Sequence, residues 1–130
     1  MDLLLDTHAF IWFDLAPEKL STEIRRQLLS AEHRLYLSVV SIWEMQIKQQ
    51  LGKLSLGQEL AEAVSNQQDK NDVQILSLKP EHIYHLSSLA NHHQDPFDRL
   101  LIAQAKTQDY HLVTRDKAIR CYVDEVNVLW

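Results

Sequence analysis

Apolar positions along the chain alternate between short unbroken runs and longer stripes at helical spacing. The first run, DLLLD at 2–6, has no polar residue within it, as expected of a strand covered on both faces. Pro17 and Ser21 mark a loop and an N-cap, which predicts a helix near 21–32. RLYLS (34–38) reads as a second strand, and SIWEMQIKQQL (41–51) as a strong helix stopped by Gly52. Residues 57–69 predict a further helix that ends in the polar QQDKND. VQILSL (73–78) is a third strand, Pro80 opens a helix over 81–90, and another helix runs from 96 to about 108. HLVT (111–114) is a fourth strand, a short helix follows Asp116, and VNVLW (126–130) is a terminal strand.

Strands alternating with helices, built on runs rather than alternations, predict a parallel α/β sheet covered on both sides. In such sheets ligands bind beyond the carboxyl ends of the strands, where the strand order reverses. That edge is the place to look for chemistry.

Composition narrows the function classes. The 130 residues suit one domain, 1–130, with 45% hydrophobic and 24% charged residues, the profile of a globular protein. No apolar run is long enough to span a membrane, and MDLLLDTHAF lacks the basic start of a secretory signal. The lone Cys121 forms no internal disulfide and no thiolate metal cage, which fits a reducing cytoplasm. With only Gly52 and Gly57, the glycine-rich phosphate loops and the GxSxG elbow are excluded. A net charge of −5 argues against a general nucleic-acid binder, unless several acids converge on a metal. The seven histidines show no zinc spacing.

Asp98 is the position that does not fit a plain amphipathic helix. With Phe97 at zero and about 100° per residue, Ala105 falls near 80°, Asp98 near 100° and Ile102 near 140°. An inward carboxylate needs a partner, because an unpaired buried charge is costly. A local reading exists: Asp95 caps, Pro96 takes the first helical position, and Asp98 meets the positive end of the macrodipole. Asp6, at the end of the first strand, reads equally as a cap for THAF. Ser41 and Glu44 form a capping-box pattern in the first turn of their helix, and Glu44 pairs with Lys48 at i,i+4. Asp116 reads as the cap of the last short helix. Jointly, however, Asp6, Glu44, Asp98 and Asp116 all fall at the carboxyl edge of the sheet. Carboxylates gathered there raise one another's pKa, and a hard divalent cation such as Mg²⁺ or Mn²⁺ resolves the conflict. The chemistry that follows is metal-assisted hydrolysis of a phosphodiester.

LLLDTHAFIW, SVVSIWEMQIKQQLGKL, HHQDPFDRLLIAQA and LVTRD together resemble the PIN domain family, in particular the VapC-type toxins of bacterial toxin–antitoxin pairs. The resemblance covers essentially the whole chain, and DPFDRLLIAQA is its most specific part. It implies a three-layer α/β/α sandwich with a central, mainly parallel sheet. It implies a Mg²⁺- or Mn²⁺-dependent endoribonuclease, an RNA substrate and inhibition by a cognate antitoxin protein. Carried onto this sequence, it implies Asp6, Glu44, Asp98 and Asp116 as the catalytic and metal-binding acids.

Around them, Thr7, Thr114 and Asp95 are candidates to orient ligands or water, with surface hydrogen bonding and simple helix capping as the competing roles. Lys48, Arg99 and Arg115 are candidates for gripping RNA phosphates, with a solvated helix face as the alternative for the arginines. His92 and His93 are set aside as ligands, since a hard cation prefers oxygen. Phe10, Trp12 and Trp43 read as core or dimer contacts rather than platforms for stacked bases, and a homodimer is the expected assembly. Two other functions compete. A Mg²⁺-binding phosphoacceptor domain needs paired acids after the first strand and an Asp after the third, yet Thr7 follows Asp6 and VQILSLKP holds no Asp. A catalytically silent PIN-like partner-binding module is opposed by the four intact acids.

Overall fold

Leu3, Leu4 and Leu5 are all wholly buried, which makes β1 (Asp2–Leu5) the centre of the sheet. The computed structural model describes residues 1–130. On one side β1 pairs with β2 (Arg34–Ser38), which pairs with β3 (Gln74–Leu76). On the other it pairs with β4 (His111–Val113), which pairs with β5 (Asn127–Leu129). All four pairings are parallel, and the order is β3-β2-β1-β4-β5. The expected mainly parallel sheet is thus wholly parallel. The order reverses between β1 and β4, so the crevice beyond their carboxyl ends is where this topology opens a site.

Alternation along β1 divides the core. Leu3 and Leu5 pack with α1 (Thr7–Leu15), α2 (Thr22–Leu29) and α4 (Leu60–Asn71). Leu4 packs on the opposite face with α6 (Pro96–Gln108) and α7 (Lys117–Arg120). Helix α3 (Val39–Gln50) serves both, sending Met45 into one layer and Val40 into the other. Buried Gln104 of α6 holds the junction of β2 and α3: it accepts the Ser38 hydroxyl at 2.6 Å.

Several boundaries depart from expectation. The sequence pattern gives no helix over 7–15, yet α1 occupies it. Ala9, Phe10 and Phe13 are buried while Ile11 and Trp12 are half-buried against the same core, so no polar stripe betrays the helix. Helix α3 starts at Val39, capped by Ser38, which accepts Val40 N–H at 3.0 Å. The capping box at Ser41 is therefore absent, and Glu44 lies in the second turn rather than the first. Gly52, at φ 73°, ends α3 as expected. The helix over 81–90 is shorter, α5 (Pro80–Tyr84) passing into a single 3₁₀ turn at His85–Ser88.

Candidate active site

Asp6 occupies the single position between β1 and α1. Its N–H continues the pairing to the Val113 carbonyl at 3.0 Å. One carboxylate oxygen accepts Ala9 N–H at 2.7 Å, capping α1, and the other accepts the Thr114 hydroxyl at 2.5 Å. Burial pushes its pKa up to about 6; the Thr114 and Ala9 bonds lower it, and the charges of Asp116 and Glu44 raise it.

Glu44 comes from α3 and is also buried. The Thr7 hydroxyl donates to its Oε1 at 2.7 Å, with Ser41 Oγ 3.0 Å from the same hydroxyl. Lys48 Nζ lies 2.8 Å from its Oε2, the i,i+4 pair expected. Lys48 thus offsets the acidic cluster directly.

Asp98 sits at the third position of α6, below the Asp95 cap and Pro96. Asp95 accepts Phe97 N–H at 2.8 Å and Asp98 N–H at 3.2 Å. Burial pushes the Asp98 carboxyl up to about 6; the His93 hydrogen bond opposes this, and the charges of Asp95 and Glu44 add to it. His93 Nε2 stands 2.8 Å from Asp98 Oδ2. Because His93 Nδ1 accepts Gln94 N–H at 3.1 Å, the neutral imidazole carries its proton on Nε2 and donates it to Asp98.

Asp116 caps α7, accepting Ala118 N–H at 2.8 Å and Ile119 N–H at 3.2 Å, and remains exposed. Its own N–H donates to Thr114 Oγ1 at 3.0 Å, so Thr114 links it to Asp6. Donor atoms of His93, Asp98 and Asp116 all lie within 4.8 Å of one another. Four elements therefore deliver Asp6, Glu44, Asp98 and Asp116 to one edge, with Thr7 and Thr114 bonded to two of them.

Two residues near the acids, Arg99 and His93, are held by contacts the sequence did not report. The Arg99 guanidinium is tied into the fold. Its Nη1 donates to the carbonyls of Ala90 and His93 and to the Tyr122 hydroxyl at 3.1–3.3 Å, and its Nη2 to Leu86 O at 3.0 Å. The buried Tyr122 hydroxyl in turn donates to Ala90 O at 2.6 Å and accepts the His92 and His93 N–H groups at 3.1 Å. This clasp folds the 85–95 segment back and seats His93 on Asp98. His93 is the site residue that sequence reasoning set aside. Its spacing of five from Asp98 crosses a loop and a helix start, and no periodicity reports that. Arg115, by contrast, is exposed and borders the cleft of Asp6 and Asp116. Phe10 is core as expected; Trp12 packs half-buried against the same core and also lines that cleft, and Trp43 is 56% exposed, its ring edge-on to Phe97.

A family model described as the PIN domain matches residues 3–123, a span that contains all four acids. The chain belongs to the PIN domain family. Solved structures carry the same fold. One is VapBC2 from Rickettsia felis bound to a promoter DNA fragment, 14% identical, with a TM-score of 0.73 over 100% of this chain and 99% of that one. Another is VapBC-1 from nontypeable Haemophilus influenzae, 21% identical, with a TM-score of 0.72 over 99% and 97%. A third is VapBC-5 from Mycobacterium tuberculosis, described as a member of the VapBC family of toxin-antitoxin systems, 15% identical, with a TM-score of 0.60 over 98% and 95%. No curated protein matches the sequence. In this PIN domain no helix is long and apolar enough to cross a membrane.

Proposed function

We propose that this PIN domain is a metal-dependent endoribonuclease and the toxin of a toxin–antitoxin pair. The observation that carries the reading is the gathering of acids from four elements at one edge. Burial first, and then neighbouring charges that for both include Glu44, hold Asp6 and Asp98 at about 6. Lys48 and the helix N-termini offset only part of this charge. The donor set fits a hard divalent cation: carboxylate oxygens of Asp98 and Asp116 gather with the His93 imidazole within 4.8 Å, Asp6 and Glu44 add carboxylates at the same edge, and such oxygens suit Mg²⁺ or Mn²⁺.

When bound, such a cation supplies positive charge to a phosphodiester and makes water a better nucleophile at neutral pH. The protein's own residues do the positioning. Thr114 and the α1 N-terminus fix both oxygens of Asp6, so that carboxylate meets its ligand already oriented. Thr7 does the same for Glu44, and His93 for Asp98. Arg115 at the rim is placed to pair with a neighbouring phosphate. The VapBC structures sharing the fold support an antitoxin partner, and a basic segment of that partner would complement the acidic edge. A homodimer and a cytoplasmic location complete the reading.

The test is cleavage of RNA by the purified, partner-free protein. Cleavage is expected with Mg²⁺ or Mn²⁺, and none with excess chelator or in Asp6→Asn and Asp98→Asn. Full activity in chelator, or in both variants, overturns the assignment. In cells, expression alone is expected to slow growth, and co-expression of the small protein encoded beside it to restore growth.

A further inference from the structure

The cleft next to the acids contains more than carboxylate chemistry requires. It has a volume of about 320 Å³ and is lined by Asp6, His8, Trp12, Arg115 and Asp116. His8 and Trp12 stand four residues apart on α1, one above the other, with ring centroids 5.8 Å apart. The Arg115 guanidinium lies over the Trp12 indole at 4.6 Å from its centroid, and Trp130 flanks the same indole at 6.0 Å. Trp12 is the one hydrophobic lining residue among charged and polar ones. An indole half-buried in the core, with a guanidinium stacked on it and two catalytic acids on the same wall, is a surface for a flat, polar-edged ring.

We propose that this cleft is a nucleobase subsite, in which a base of the RNA chain adds to the Trp12–Arg115 stack while its phosphate faces the acids. The proposal rests on the nuclease reading, because the acids set where the phosphate goes. A base fits better than a peptide side chain for two reasons. Both stacking groups are planar, and every base offers a π-face to them. The cleft also shares Asp6 and Asp116 with the acidic site, so a base and its attached phosphate reach the two parts together. Stacking of this kind tolerates all four bases, so the subsite demands that a base be present without selecting which.

The test uses adenosine 5′-monophosphate and ribose 5-phosphate, which differ only in the base, titrated calorimetrically into the protein in Mg²⁺. Wild type is expected to bind the nucleotide tighter by roughly 5- to 150-fold, the range for one stacked base. Trp12→Leu keeps apolar volume against the core and should bind both ligands alike, while Trp12→Phe should retain most of the difference. Arg115→Gln, at an exposed position, should shrink the difference without touching the core. Equal binding of the two ligands by wild type overturns the proposal, as does a base preference that survives in Trp12→Leu. These readouts need no cleavage. A protein that prefers the nucleotide yet cuts no RNA would refute the nuclease reading and leave the subsite standing.

Discussion

Asp98 is pulled two ways, and the balance can be measured. As the third residue of α6 it gains roughly 0.3–1 kcal/mol from the helix N-terminus. Burial and the charges of Asp95 and Glu44 act against its ionised form. In chelator, Asp98→Asn is therefore expected to melt at or above the wild-type temperature. Millimolar Mg²⁺ should stabilise wild type by RT ln(1 + [L]/Kd) and leave the variant nearly unchanged. Equal Mg²⁺ responses, with the variant less stable throughout, would reduce Asp98 to a helix-end charge. Both raised carboxyls also predict a pH dependence. Their folded values, about 6, lie above the ordinary 3.8, so between roughly pH 4 and 6 the folded protein holds more protons than the unfolded chain. Metal-free stability should thus fall as pH rises through that window, and fall less steeply in Asp98→Asn. Urea unfolding in chelator at a series of pH values checks the sign.

Among the elements, strands and helices with one polar face were legible, and elements fixed by contacts far away in sequence were not. Leu3–Leu5 announced a doubly covered strand, and Asp95-Pro96 announced the start of α6. Helix α1 left no trace because its apolar residues face the core over most of its circumference. Ser41 looked like a cap, yet Ser38, at the strand end, holds that role, and its hydroxyl is fixed by Gln104 of α6, a contact no local pattern encodes. The inward face of Asp98 was readable from helical spacing, whereas His93 was not, because Arg99 and Tyr122 bring it in from a loop. That clasp carries its own prediction. Tyr122→Phe deletes the hydroxyl that two N–H groups, a carbonyl and Arg99 share, at a cost of about 1–3 kcal/mol for the polar groups left unpaired. Its imidazole NMR signals should show His93 released from Asp98. Unchanged His93 resonances would mean that the loop holds without the clasp.

For the whole molecule, the parallel order places all four acids at one edge, and net charge −5 surrounds them with little that attracts a polyanion. Arg99 is occupied within the fold and Lys48 by Glu44, leaving Arg115 as the exposed cation beside the cleft. Binding of short single-stranded RNA should therefore collapse in chelator. In constant Mg²⁺ it should show a shallow dependence on monovalent salt, because few counterions are released by so few basic contacts. Fluorescence anisotropy across a salt series measures the slope. A steep slope would reveal a basic track elsewhere on the surface.

One consequence concerns how such a chain can change over generations. Between Leu5 and Thr7 there is only Asp6, which closes the strand, opens the helix and faces the reaction edge. A one-residue insertion there would turn the carboxylate away and shift α1 against Leu3 and Leu5 together. Length variation at this junction is forbidden by folding and by chemistry in the same stroke. The stretch between α3 and α4 is pinned to the core by buried Leu56, but its turns at Gly52 and Gly57, both at positive φ and with open space where a side chain would be, hold no residue of the acidic edge. Lineages descended from this protein should accumulate insertions there, and none at the junction that holds Asp6.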